Sequence, residues 1–166
     1  MKAKLRRVLL LVAIVYTMNS CSSDSSETPS STKTSTKVMD YNYDSSELET
    51  MNLINSYRVS VGLNALEQIN HISHKSEEHD NYMISNNVVN HNNFVARSEN
   101  LISVLAAKRV GENVAYNYNS PQSVVNAWLN SPTHKENIEG NYTHFGISIR
   151  KKPDGKKYYT NIFVKI

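Results

Sequence analysis

Cysteine is almost missing from this sequence: Cys21 is the only one in 166 residues. A lone thiol excludes an internal disulfide, so the folded part must be held by burial and hydrogen bonding. No apolar run approaches the ~20 residues that a membrane-spanning helix needs. No GxSxG box and no HExxH helix occurs, which removes the usual local signs of a serine nucleophile or a helix-borne zinc pair. A Lys/Arg stripe with interleaved aromatics is also missing, so nucleic acid is not an expected partner.

The formal charge of +3 is misleading, because Lys2, Lys4, Arg6 and Arg7 crowd the first seven residues. From Cys21 onward fourteen basic residues face fifteen acidic ones, and the chain is nearly neutral. The basic start, the short apolar run VLLLVAIVY and the small Ser20 read as a secretory signal over residues 1–20. Cys21 follows directly, with Ser22, Ser23 and Asp24 behind it. That arrangement resembles a bacterial lipoprotein processing site, in which the thiol is acylated and becomes the mature N-terminus. The expected location is therefore the bacterial cell envelope through a lipid anchor at Cys21, or the exterior if the chain is cut without acylation. Each buried methylene of such an anchor adds ~0.8 kcal/mol. Residues 21–43 are rich in Ser and Thr and poor in apolar groups, the composition of a disordered tether.

Residues 44–166 suit one domain with one core. Asp44 with Glu47, or Ser46 with Glu49, has capping-box spacing. Met51, Ile54, Tyr57 and Val61 then make a helical stripe that Gly62 terminates. A second helix is expected over residues 66–86, with Ile72, Ser76, His79 and Met83 inward. On it, His71, His74 and Glu78 imitate a metal cluster, but the stripe turns His71 and His74 toward solvent. A weaker helix over 98–108 carries Leu101, Ile102, Leu105 and Ala106, and Gly111 ends it. Val114, Tyr116 and Tyr118 alternate as a strand. Ser120-Pro121 and Ser131-Pro132 are two helix starts, the first leading to Val124, Val125, Trp128 and Leu129. Phe145, Ile147 and Ile149, the turn KKPDGK, and Tyr158, Thr160, Ile162 and Val164 form an antiparallel hairpin. Helices first and paired strands last make the class α+β.

The boxes LINSYRVSVGLNAL, HDNYM, GENVA, AWLNSPTHKENI and YYTNIF follow one another in the order of the CAP superfamily, the cysteine-rich secretory, antigen 5 and pathogenesis-related-1 proteins. The chain resembles the small bacterial form over about residues 46–166. The resemblance implies an α-β-α sandwich with a small, mainly antiparallel sheet, and a cleft formed by His91, Glu112 and His134. It also implies a secreted module that engages lipids, glycans or proteins. Two departures stand out: Ser131 occupies the position of a second cleft glutamate, and the loop EGNYTHFG is one residue short.

Two imidazoles and a carboxylate are a sufficient set for Zn²⁺ or another divalent ion with an open water position. His91, Glu112 and His134 are accordingly the candidate metal ligands, and the candidate catalytic set if the protein is a metal-assisted hydrolase of envelope or extracellular substrates. The competing role for Glu112 is structural, a buried carboxylate that satisfies backbone and imidazole N–H groups without chemistry. A binding module is the leading expectation and the hydrolase its alternative. The anchor is directly testable: Cys21→Ser should move the protein from the membrane fraction to the soluble one, and unchanged partitioning on cell fractionation would reject lipidation.

Overall fold

The computed structural model describes residues 38–166. The signal segment, Cys21 and most of the Ser/Thr-rich tether lie outside the described residues. The elements run α1 (Ser45–Ser60), β1 (Glu67–Gln68), α2 (Asn70–Asn86), α3 (Phe94–Leu105), β2 (Arg109–Tyr116), α4 (Pro121–Asn130), α5 (Pro132–Glu139), β3 (His144–Lys151) and β4 (Lys157–Lys165). The strands form one sheet in the order β1-β3-β4-β2. β4 pairs antiparallel with both β2 and β3, and β1 adds a two-residue parallel pair to β3.

Alternation along the strands divides the sheet's side chains between two helical layers. Phe145, Ile147 and Ile149 of β3, with Tyr159 and Phe163 of β4, pack against Met51 and Ile54 of α1, Val124 and Trp128 of α4, and Ile138 of α5. On the other face Ile162 and Val164 meet Ile72 of α2 and Leu101 of α3, and Tyr158 and Val114 meet Met83. Helices thus cover both faces of the sheet, an α-β-α sandwich. α2 lies so close to β3 that a Cβ on Gly146 would stand 2.7 Å from Ile72 Cβ, a contact only glycine avoids.

Several sequence expectations shift in the fold. α1 starts at Asp44 with its capping box complete: Glu47 N–H donates to Asp44 Oδ1 at 2.8 Å and Asp44 N–H to Glu47 Oε2 at 2.9 Å. Val61, however, is exposed, and Arg58 is fully buried instead. Its guanidinium reaches the carbonyls of Asn64, Ile138 and Gly140, a destination that apolar periodicity cannot register. α2 begins at Asn70 because residues 67–68 join the sheet. α3 starts at Phe94, earlier than expected, and stops where Ala106 takes the left-handed conformation. Gly111, expected to break that helix, lies inside β2.

The packed unit also begins before Asp44. Tyr41 is buried, and its hydroxyl donates to Glu47 Oε1 at 2.6 Å. The same oxygen accepts from Ile149 N–H at 2.9 Å and Arg150 Nη1 at 2.8 Å. One buried carboxylate therefore ties the incoming chain, α1 and β3 together.

Asp80 lies between α2 and β4, fully buried, with Oδ1 accepting from Thr160 Oγ1 at 2.6 Å. Burial pushes its pKa well above the ordinary carboxylate value, because removal from water disfavours the charged form. The Thr160 and Ser148 hydroxyls, as donors to the carboxylate, oppose part of this shift, and Asp80 Oδ2 has no hydrogen-bond partner among the described residues. The sign follows from the raised pKa. The stabilisation is complete below about pH 4, where unfolded Asp titrates, and is lost as pH rises through the higher folded value. Asp80→Asn, which mimics the protonated acid, should flatten this decline. Denaturant midpoints between about pH 4 and 8 check it, and equal slopes for variant and wild type would reject the assignment.

Candidate functional site

Glu112 projects from β2 toward α2 and α3, its side chain 1% exposed. Arg97, in the first turn of α3, grips it with a two-pronged fork: Nε donates to Oε2 and Nη2 to Oε1, each at 2.9 Å. His91 Nδ1 stands 2.8 Å from Oε1. A carboxylate oxygen that already takes an Arg97 bond is the acceptor here, so Nδ1 is the donor and Nε2 is the ring nitrogen left for another partner. The His91 side chain is 52% exposed.

The loop that carries His91 is held on both sides of it. His79 Nε2 is 2.8 Å from the Asn90 carbonyl, and Arg97 Nη1 donates to the Asn92 carbonyl at 2.8 Å. Asn87 and Asn93 adopt positive φ at its two ends, a conformation Asn tolerates better than most residues. His79 is the core histidine that the sequence predicts. Burial lowers its pKa, and its Nε2 stops 3.9 Å from Glu112 Oε1.

His134 arrives from the other side of the sheet. Asn113, next to Glu112 on β2, points to the opposite face and donates from Nδ2 to the His134 carbonyl at 2.9 Å. Asn137 Nδ2 donates to Asn113 Oδ1 at 2.9 Å and to the Glu112 carbonyl at 3.1 Å. His134 lines a cavity of about 260 Å³ with Tyr116, Tyr118 and Ser131. His91 and Glu112 line a separate one of about 340 Å³ with Arg109, Asn137 and Tyr142. Burial lowers the His134 pKa, and the neighbouring His91 imidazole adds to the shift.

The three sequence candidates thus form one direct contact, His91 with Glu112, while His134 lines a different cavity. Among the described residues no three His, Cys, Asp or Glu side chains converge as a metal-holding group. Arg97, Asn113, Asn137 and Arg109 were not singled out from the sequence. Asn113 belongs to the Gly-Glu-Asn box and could have been. Arg97 carried no signal, because nothing local pairs it with a residue fifteen positions on.

His71 departs from its expected place. It is 2% exposed, its Nδ1 accepting from Met39 N–H at 3.2 Å and its Nε2 2.8 Å from Asn100 Oδ1. The incoming chain and α3 cover the helix face that periodicity assigned to solvent. His74 does stay at the surface, paired with Glu78 at 3.2 Å.

The family model for the cysteine-rich secretory protein family, CAP, matches residues 51–164. The chain belongs to the CAP family. Among curated proteins it is 32% identical over 124 residues to YlbC of Bacillus subtilis strain 168, described as an uncharacterized membrane protein; the match spans 72% of this chain and 34% of that one. It is 43% identical over 44 residues to YkwD of the same organism, covering 26% of this chain and 17% of that protein. The CAP chain therefore spans about a third of one of these relatives and less of the other. Among solved structures, an outer surface protein from Borrelia burgdorferi superposes with a TM-score of 0.65 at 24% identity, over 76% of this chain and 98% of that one. An extracellular SCP-domain protein from Bacillus anthracis gives 0.63 at 22%, over 73% and 40%.

In this CAP domain the Arg97–Glu112 pair is the site's energetic keystone. Arg97→Ala would leave a buried carboxylate without its counter-charge, which costs about 3–5 kcal/mol. Arg97→Lys should recover part of the loss, since a point charge cannot reproduce the fork. Chemical denaturation of the three proteins checks this, and a loss below about 1 kcal/mol for Arg97→Ala would show that Glu112 does not depend on the pair.

Proposed function

We propose that the protein is an extracytoplasmic, lipid-anchored CAP domain that works as a binding module, its cleft presenting His91 and His134 to a ligand. The observation that carries the reading is the state of Glu112: both carboxylate oxygens accept from Arg97, and one also meets His91. With both oxygens already committed to Arg97 and one shared with His91, Glu112 offers little free acceptor capacity to a water or substrate, so hydrolysis with Glu112 as proton acceptor is the less favoured reading. The relatives described as outer-surface or extracellular proteins support an exported location. No described helix is long and apolar enough to cross a membrane.

Within this reading a divalent ion such as Zn²⁺ would be held by His91 and His134, with Glu112 orienting His91 rather than coordinating. A carboxylate behind a ligating imidazole fixes its tautomer and raises its basicity. The remaining Nε2 of His91 and the depressed pKa of His134 suit neutral-imidazole ligation. A bound ion would supply Lewis acidity at the cleft.

Zinc should raise the melting temperature of the full chain; an ion hundredfold above its Kd adds about 2.7 kcal/mol. His91→Ala/His134→Ala should lose that rise and His74→Ala should keep it. His71 is unsuitable as the control because it is buried. The zinc effect should fade on acidification, as the imidazoles protonate. An unchanged response in the double variant would reject the two-histidine site. For the module itself, envelope lipids and glycans should raise the melting temperature without being consumed. Turnover lost with His91→Ala would instead establish the hydrolase.

A further inference from the structure

The cavity of about 340 Å³ beside His91 contains a charge that the Glu112 cluster does not use. Arg109, at the start of β2, lines it with Tyr142, Asn137 and the β2 backbone from Val110 to Glu112. Its guanidinium lies over the Tyr142 ring, 5.0 Å from the centroid. A stacked guanidinium keeps its N–H edge free for an acceptor. Among the described residues Arg97 and Arg150 have carboxylate partners and Arg109 has none. Glu136 and Glu139 line a neighbouring cavity with Arg109 but do not pair with it. Arg97 neutralises Glu112 on the floor, so among the residues lining this cavity the charge without an ion-pair partner is that of Arg109, with Glu136 acting on Tyr142 from the neighbouring cavity.

The wall is also rich in donors. β2 is an edge strand, and the residues that exchange hydrogen bonds with β4 are the odd-numbered ones, in step with Asn117 N–H to the Lys157 carbonyl. Val110, Glu112 and Val114 therefore turn their backbone groups to the free edge. The Glu112 carbonyl is taken by Asn137 and the Val114 carbonyl by the Trp128 indole. The Val110 and Glu112 N–H groups are left on that edge, and both residues line the cavity. Gly111 has no Cβ to displace Asn137 Oδ1, which would lie 2.9 Å from it, or the Tyr142 hydroxyl. Both polar groups can therefore close in on the strand.

We propose that this cavity binds the carboxylate of a small polar ligand, a free peptide C-terminus or an acidic sugar, with Arg109 as its counter-charge. The arginine fork matches a carboxylate in two parallel bonds, and backbone N–H groups with the Tyr142 hydroxyl complete the donor set. The proposal rests on the reading of this face as a binding cleft and names what that cleft recognises.

Isothermal titration of the full chain with N-acetyl-Ala-Ala, its C-terminal amide and glucuronic acid tests it. At least one acid should bind, and the amide should bind at least about tenfold more weakly than its acid, the scale of one charge-assisted bond. Arg109→Gln should bring the acid down to the amide's level without shifting the melting temperature, since the residue is exposed. Arg109→Lys should recover part of the affinity. A preference for the peptide identifies a peptide end, and a preference for glucuronic acid identifies a glycan. Equal binding of acid and amide, unchanged affinity in Arg109→Gln, or no binding of any probe at millimolar concentration would overturn the carboxylate assignment. If His91→Ala alone abolishes binding, that assignment falls and the cleft reading stands. If His91→Ala and Arg109→Gln both bind like wild type, both fall.

Discussion

A carboxylate withdrawn from water carries a desolvation cost of several kcal/mol, and the Glu112 site is arranged around offsetting it. Two guanidinium bonds and one imidazole bond converge on its oxygens, each stronger than a neutral pair because charge is involved. The partners that meet this demand are themselves fixed by it. Arg97 cannot leave α3's first turn without stranding the charge, and His91 is turned so that one nitrogen serves Glu112 and the other is left for another partner. Arg97 and His79 also hold the carbonyls on either side of His91. The orientation of the exposed histidine is thus a consequence of neutralising the buried acid.

The alternation of β2 explains how so short a box can join three layers. Glu112 faces α2 and α3, and Asn113, one residue on, faces α5 and binds the His134 carbonyl. Asn137 closes the arrangement by bonding the Glu112 carbonyl and the Asn113 side chain at once. An edge strand exposes unpaired backbone groups that could recruit another chain. Here Asn137 and Trp128 cover two carbonyls, and the residual opening lies where Arg109 and His91 stand. The two histidines therefore approach across the strand edge from different sides of the sheet, which is why they line separate cavities.

Fold and site were legible to different depths. Period-two alternation in β3 and β4, the Ser-Pro helix starts and the Asp44 capping box are local signals, decided by residues within a few positions of one another. They placed the hairpin, α4, α5 and the start of α1 correctly. The inward stripe of α2 was equally local, and Ile72, Ser76, His79 and Met83 are all buried. The box pattern carried the family, and with it the sandwich.

Long-range decisions belonged to the tertiary structure. His71 is buried because the incoming chain and α3 cover it, and no periodicity within α2 could report a cover supplied from elsewhere. Arg58 and Arg97 are buried cations whose partners come from distant segments, so a rule that sends charge to solvent misplaces both. Helix α3 is bounded by left-handed Asn93 and Ala106, and an alanine carries no local signal for that conformation. The sequence by itself, through the order of its boxes, singled out His91, Glu112 and His134 as cleft candidates, because residue type alone offered His71, His74 and Glu78 equally well. Only the fold decided that Glu112 faces a guanidinium, that His134 stands across the strand edge, and that Arg109 stacks on Tyr142 with no carboxylate partner among the described residues, because burial and counter-charge are properties of three-dimensional neighbours.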